Sequence, residues 1–381
     1  METLLLFLHN TFWFVLILSI IVFVHEFGHY FVAKLCGVKI DAFSIGFGPE
    51  ICGWNDKSGT RWKICWAPLG GYVKMYGDVN PASMPDDEKM QEMTPEEKKV
   101  AFHYKPLKAK AAIVFAGPLA NFLLAIVILT FFFSYYGKPL TTTELSVVVP
   151  ESAAAEAGLM PGDIITSING AAVKEFADLQ RVISLNTGTP VELEYKRGEE
   201  NLSTTATPRI SARTDVFGNE IKAALLGVQA NVISYEKLGP GSAVVEAVEE
   251  TYNLSASTLT AIGQMLTGKR SASEISGPIG IAKYSGQSAE KGLPTILWFM
   301  VIISINLGLI NLFPIPILDG GHLMYYTFEA IRGKPLAESF QQWGFKIGLA
   351  LVSTLAIFAI FNDLKNLKIM NYISSITSYF H

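Results

Sequence analysis

The densest chemistry in the sequence sits in five consecutive residues, His25-Glu26-Phe27-Gly28-His29. On an α-helix, side chains four positions apart stand on one face, so His25 and His29 can offer two imidazole nitrogens to a single metal ion. Glu26 borders that face and can take a proton from a water at the ion. Zn2+ suits such a donor set, and the pattern is that of a metallopeptidase. A catalytic zinc takes three protein ligands and leaves one position open. The predicted third ligand is Asp319, in the run Asn311 to His322 (NLFPIPILDGGH). His322, one turn further on, is a rival ligand. The plainer alternative for His25 and His29 is a pair of interfacial side chains at the end of a snorkelling helix.

The elements that must position these groups are apolar. Thr3 to Val24, Ala111 to Tyr136 and Leu293 to Leu318 contain no Asp, Glu, Lys or Arg, and each reaches the roughly 20 residues that cross a bilayer. Ile347 to Phe361 is shorter and crosses only if Trp343 to Phe345 join it, with Lys346 snorkelling to the interface. Composition agrees with four spans. Of 381 residues 50% are hydrophobic and only 17% charged, against about 25% charged in an ordinary soluble domain, and the mean hydropathy is +0.33. A net charge of −4 excludes a nucleic-acid binder that relies on a basic field. Three cysteines, Cys36, Cys52 and Cys65, are too few for a disulfide framework. Lysines 34, 39, 98, 99, 105, 108 and 110 cluster between the first two spans, which predicts a cytoplasmic 34–110 segment and a 137–292 segment across the membrane. His25 and Asp319 then both come late in parallel helices, near the cytoplasmic boundary.

Between spans one and two, DAFSIGFGPEICGW and RWKICWAPLGGYVKMYG read as Gly-punctuated apolar strands. Such a hairpin either dips into the membrane or forms a small cytosolic sheet. Met84 to Lys99 is a polar, solvated stretch. The 137–292 segment runs strand, short helix, Gly162-Asp163 turn, strand, Asn169-Gly170 turn, helix, strand. That order resembles a PDZ domain, which captures extended peptides by strand addition; a folded spacer with an unused groove is the alternative. Ser242 to Leu266 reads as an amphipathic helix. Pro314 and Pro316 cannot continue a regular helix, and the backbone they free is tolerated at membrane depth only where it lines a cavity. Asn311 serves either to bind substrate backbone or a developing oxyanion, or to hold helices together. Asn121, after the kink expected at Gly117-Pro118 in span two, reads as packing rather than chemistry.

The predicted fold class is a polytopic α-helical membrane protein with a membrane-associated β-hairpin region and one α+β PDZ-like domain. Its parts are a first transmembrane helix (1–36), the cytoplasmic or re-entrant hairpin region (37–105), a second transmembrane helix (106–136) and a periplasmic PDZ-like domain (137–230). An amphipathic helix and linker (231–292), a third transmembrane helix carrying the LDG motif (293–322), a cytoplasmic loop (323–342), a fourth transmembrane helix (343–362) and a tail (363–381) complete it.

HEFGH, GFGP, PLGGYVKM, AGPLANFLLA, one PDZ-like segment, SGPIGIA and NLFPIPILDGGH together resemble the site-2 protease family of intramembrane zinc metalloproteases. The nearest resemblance is to its bacterial regulator of sigma-E protease branch. The resemblance implies zinc held by His25, His29 and Asp319, with Glu26 as general base. It also implies substrate positioning by Asn311, Pro314 and Pro316, and guidance of the substrate strand by the hairpin around Gly46, Gly48, Gly70, Gly71 and Tyr72. Implied partners are single-span membrane proteins such as anti-sigma factors, leftover signal peptides, the bilayer itself and a peptide ligand of the PDZ-like domain, with no nucleic acid. The implied location is a bacterial inner membrane. Many members of that branch carry two tandem PDZ domains, whereas one is recognisable here.

Overall fold

The computed structural model describes residues 2–78, 92–186, 188–214 and 220–366. The polar Met84 to Lys99 stretch is thus described only from residue 92, and the tail only to residue 366. The chain divides into two compact units, Met1–Ile128 with Ser273–His381, and Leu129–Ala272.

In the first unit, α1 (Glu2–Leu35) carries the HEFGH run. Ile17, Ile21, His25, His29 and Ala33 recur every four residues, and all five are buried; one stripe of the helix therefore faces the interior. β1 (Ile40–Asn55) and β2 (Arg61–Met75) form an antiparallel pair with repeated register shifts. Both strands bend: the stretch 40–45 pairs with 71–75 on one edge and, through residues 42–45, with 61–64 on the other, while 61–64 also pairs with 52–55. Two long strands thus make a sheet locally four strands wide, with 71–75 as an outer member. After α2 (Pro95–Val100), a short helix closed by a Thr94–Glu97 capping box, α3 (Leu107–Tyr135) begins and carries Pro118 within it.

The second unit starts with β3 (Lys138–Val148), α4 (Ala153–Glu156), β4 (Ile164–Ile168), β5 (Ala171–Ala172), α5 (Phe176–Leu185), β6 (Val191–Arg197) and β7 (Glu200–Ala206). A β8–β9 hairpin (Arg209–Thr214, Glu220–Leu225), β10 (Val228–Glu236) and α6 (Pro240–Leu266) follow. The main sheet runs in the order β10-β3-β4-β6-β7, with β5 beside β4. Alternation along β6 buries Val191, Leu193 and Tyr195, and α5 buries Phe176, Leu179 and Ile183. The two patterns interlock in one core with Leu145, Ile165 and Ile168. The sheet extends past residue 230, where the sequence reading ends the domain, because β10 pairs antiparallel with β3 as far as Glu236.

The first unit resumes with α7 (Pro278–Glu290), α8 (Leu293–Asn311), α9 (Asp319–Arg332) and α10 (Glu338–Asn366). Here the structure corrects the sequence reading. A single helix over 293–322 does not form; α8 stops at Asn311, and Asp319 opens a new helix. Two prolines without N–H groups explain the break, and Ile317 in the turn takes a positive φ of 95°. Residues 323–332, expected in a loop, belong to α9. Four helices, Leu4–Leu35, Leu107–Tyr135, Leu293–Asn311 and Ser339–Lys365, are long and apolar enough to cross a membrane.

Candidate metal centre

The buried stripe of α1 delivers both imidazoles to one point. His25 Nε2 and His29 Nε2 lie 3.2 Å apart, and Asp319 Oδ2 lies 3.2 Å from the first and 3.5 Å from the second. One ligand atom from each of the three residues falls within 4.8 Å of the others. Asp319 reaches this point by the helix break: the turn over 312–318 brings it back beside His25 as the first residue of α9, where a carboxylate suits the helix N-terminus. The close approach requires glycines. A Cβ on Gly320 would lie 2.3 Å from the Leu312 and Phe313 carbonyl oxygens, and one on Gly321 would lie 2.4 Å from that of Ile315.

The surroundings fix how these groups present themselves. His29 Nδ1 lies 2.9 Å from the Ile113 carbonyl oxygen. A carbonyl can only accept, so Nδ1 holds the proton and Nε2 turns its lone pair inward, as a metal ligand must. Asp319 Oδ2 is buried and makes no hydrogen bond despite its nearness to both imidazoles. An orphaned carboxylate oxygen facing two imidazole nitrogens is a donor set that fits a divalent zinc-like ion, with three protein ligands and room for a fourth.

Glu26 lines the same cavity, whose volume is about 560 Å³. Gly71 permits the close approach of the sheet: a Cβ there would meet Glu26 Cγ at 2.9 Å and the Ser44 carbonyl oxygen at 2.8 Å. The outer stretch of the sheet thus runs directly past the acid.

The remaining sequence candidates divide. Asn311 lines the cavity, its Nδ2 3.5 Å from His25 Nε2. Gly70, Gly71 and Tyr72 line it too, with Phe47 stacked on Tyr72. Gly46 and Gly48 are not among its lining residues; they take φ of 88° and 87° and shape the bend in β1. Pro314 and Pro316 also stay out of the lining and act on the path of the chain instead. His322 lines the cavity without joining the three-residue cluster. Asn121, read from the sequence as packing, is fully buried with Nδ2 3.2 Å from His25 Nδ1. Gly117, expected from the sequence only to mark a kink, faces the His29 ring. The signal for both lay in Gly117-Pro118-x-x-Asn121, which sets Gly and Asn four apart on one face of an apolar helix.

A helix that pairs HExxH imidazoles with a distant carboxylate, next to a free acid and a cavity, is the site of a metallopeptidase. The chain belongs to peptidase family M50, whose family model matches residues 13–355, and is a metalloprotease. A protein of Agrobacterium fabrum provisionally named a zinc metalloprotease is 41% identical over 358 residues, covering 93% of this chain and 95% of its own. One of Rickettsia conorii, named likewise, is 42% identical over 359 residues, covering 93% and 98%. Metalloprotease MmpA of Caulobacter vibrioides is 35% identical over 383 residues, covering 94% and 96%. Among solved structures, the PDZ domain of an SdrC-like protein from Listeria monocytogenes matches 24% of this chain and 88% of its own at 23% identity. Its TM-score of 0.19 carries no argument.

Proposed function

We propose that this chain is an intramembrane zinc endopeptidase that cuts the transmembrane segments of single-span proteins. The observation that carries the reading is the convergence of His25, His29 and Asp319 from opposite ends of the chain onto one point. His25 and His29 lie on a helix long and apolar enough to span a bilayer, and Asp319 follows a second such helix, Leu293–Asn311, after the turn. Broad apolar exposure on the candidate spans, such as Phe7, Val127, Ile347 and Ile357, supports their facing lipid. The lysines between spans one and two support a cytoplasmic 34–110 segment.

In this reading His25, His29 and Asp319 hold zinc. When bound, the ion would supply Lewis acidity, polarising the scissile carbonyl and lowering the pKa of a neighbouring water to about 7. Glu26 takes the proton of the attacking water and returns it to the leaving amine. Asn311 steadies the charge that develops on the carbonyl oxygen. A helical substrate must unwind first, because its peptide carbonyls already accept hydrogen bonds. Residues 71–75 pair with no further strand among the described residues, so this edge can accept the freed backbone by strand addition. Gly70 and Gly71 keep that edge low beside Glu26, while Phe47 and Tyr72 contact the apolar side chains.

Substrates of this kind are anti-sigma-factor-like membrane proteins and remnant signal peptides, cut in regulated intramembrane proteolysis at a bacterial inner membrane. The 137–236 sheet domain serves as a periplasmic PDZ-like module that takes a peptide. A structural metal site in a membrane adaptor is the competing reading. A structural zinc site is closed by four protein ligands, however, and the cluster here supplies three. The test is Glu26→Gln. Cleavage of a model transmembrane substrate should vanish while zinc remains bound, and undiminished cleavage would remove Glu26 from the chemistry.

A further inference from the structure

The His29 imidazole has its tautomer fixed by a backbone carbonyl, which can only accept. The partner of His25 is different in kind. Asn121, on α3, is the neighbour of His25 Nδ1, at 3.2 Å, and it presents its Nδ2. An amide nitrogen donates, so in this orientation Asn121 offers His25 Nδ1 a donor and no acceptor. A ring that binds a metal through Nε2 carries its proton on Nδ1 and needs an acceptor there. The opposite end of the same amide, Oδ1, is buried with no hydrogen-bond partner. A half-turn of the amide group exchanges the two ends. Oδ1 then accepts from His25 Nδ1–H, and Nε2 is left with its lone pair directed at Asp319 and His29.

The site also holds Asn121 in place from behind. Its backbone carbonyl accepts from the buried Ser304 hydroxyl on α8 at 2.8 Å. The residue is completely buried, so water does not compete for the imidazole. Gly117, four residues earlier on α3, faces the second imidazole. One face of α3 therefore backs both ligands of α1.

We propose that Asn121 is a positioning residue for the metal. Its side-chain amide sets the tautomer of His25, and its turn from Nδ2-facing to Oδ1-facing accompanies loading of the site. The inference rests on the zinc reading above, but it concerns a residue that touches neither substrate nor ion.

The experiment measures zinc affinity of the full-length protein in detergent by competition with a chromophoric chelator, for the parent, Asn121→Leu and Asn121→Asp. Leu matches the shape of Asn without an acceptor; Asp supplies an acceptor oxygen whichever way it turns. We expect Asn121→Leu to bind zinc about 10–100-fold more weakly, the usual loss when the partner of a ligating histidine is removed. Asn121→Asp should recover most of that loss. A packing role would weaken both variants alike, and that result, or a Leu variant as tight as the parent, overturns the proposal. A parent that binds no zinc overturns the metal reading itself. Should the variants fail to fold, histidine-labelled 15N resonances of the zinc-loaded parent decide. A proton on His25 Nδ1 is expected, and an unprotonated Nδ1 there rejects the assignment.

Discussion

Gly117 of α3 occupies the one place where His29 leaves no room for a side chain: a Cβ there would lie 2.2 Å from His29 Nε2. Propensity alone favours Ala over Gly in a helix interior by about 1 kcal/mol. The contact reverses that preference, because the ring cannot retreat without losing its 2.9 Å bond to the Ile113 carbonyl. Gly117→Ala should therefore lower zinc affinity by about 10–100-fold, with cleavage falling in step. Metal content and cleavage of the purified variant check this, and an Ala variant with full zinc would contradict it.

Asp363, near the end of α10, is 3% exposed and accepts from three backbone N–H groups at the start of α7: Gly277 at 2.9 Å, Ile279 at 3.0 Å and Gly280 at 2.9 Å. One carboxylate thereby satisfies donors that a helix start otherwise leaves open. Truncation leaves three donors without this partner, two of them, Gly277 and Gly280, buried, at about 1–3 kcal/mol for each buried unsatisfied group. Asp363→Ala should cost about 2 kcal/mol or more of stability, seen as a lower thermal midpoint in detergent. Asp363→Asn keeps one acceptor oxygen and should lose less.

Outside the candidate spans, Tyr76 donates to Glu97 Oε1 at 2.6 Å. That bond, ahead of those from Thr94, lowers the Glu97 carboxyl from 4.5 to about 2, and it also pushes the Tyr76 hydroxyl from 10.0 up to about 12. The depressed Glu97 contributes stability above pH 4.5 that is lost as pH falls toward 2. The raised Tyr76 contributes below pH 10 what is lost as pH climbs toward 12. Pepsin cutting between residues 92 and 104 should rise in the parent as pH drops through that lower window. In Glu97→Gln it should already be high at pH 4.5. A parent and variant with the same acid profile would separate Glu97 from the local fold.

Different parts of the site were legible in the sequence for different reasons. His25 and His29 share a face by local helical spacing, so five residues suffice to pair them. Asp319 is distant in sequence, and only the apolar length preceding it linked it to α1. That reasoning counted depth along one span to residue 318 and expected the prolines only to disturb it, whereas the chain reaches the same place by stopping at Asn311 and turning through Pro314 and Pro316 into a new helix. Asn121 and Gly117 escaped because their function lies in contacts between helices, which no periodicity within α3 records. The doubled pairing of residues 40–45 was hidden too. Bends at Gly46 and Gly48 let two strands act as four, and alternation along each strand cannot show which edges meet. β10 went unassigned because its partner, β3, lies at the other end of the domain.

Asp319→Ala tests the account at its centre, since Asp319 brings the third member of the cluster from the C-terminal half of the chain to the imidazoles of α1. The measurement is zinc per chain by elemental analysis of the purified full-length protein, beside cleavage of a model transmembrane substrate with and without a chelator. The account expects zinc and chelator-sensitive cleavage in the parent, and the loss of both in Asp319→Ala. An Asp319→Ala protein that keeps its zinc and still cuts the substrate would contradict it.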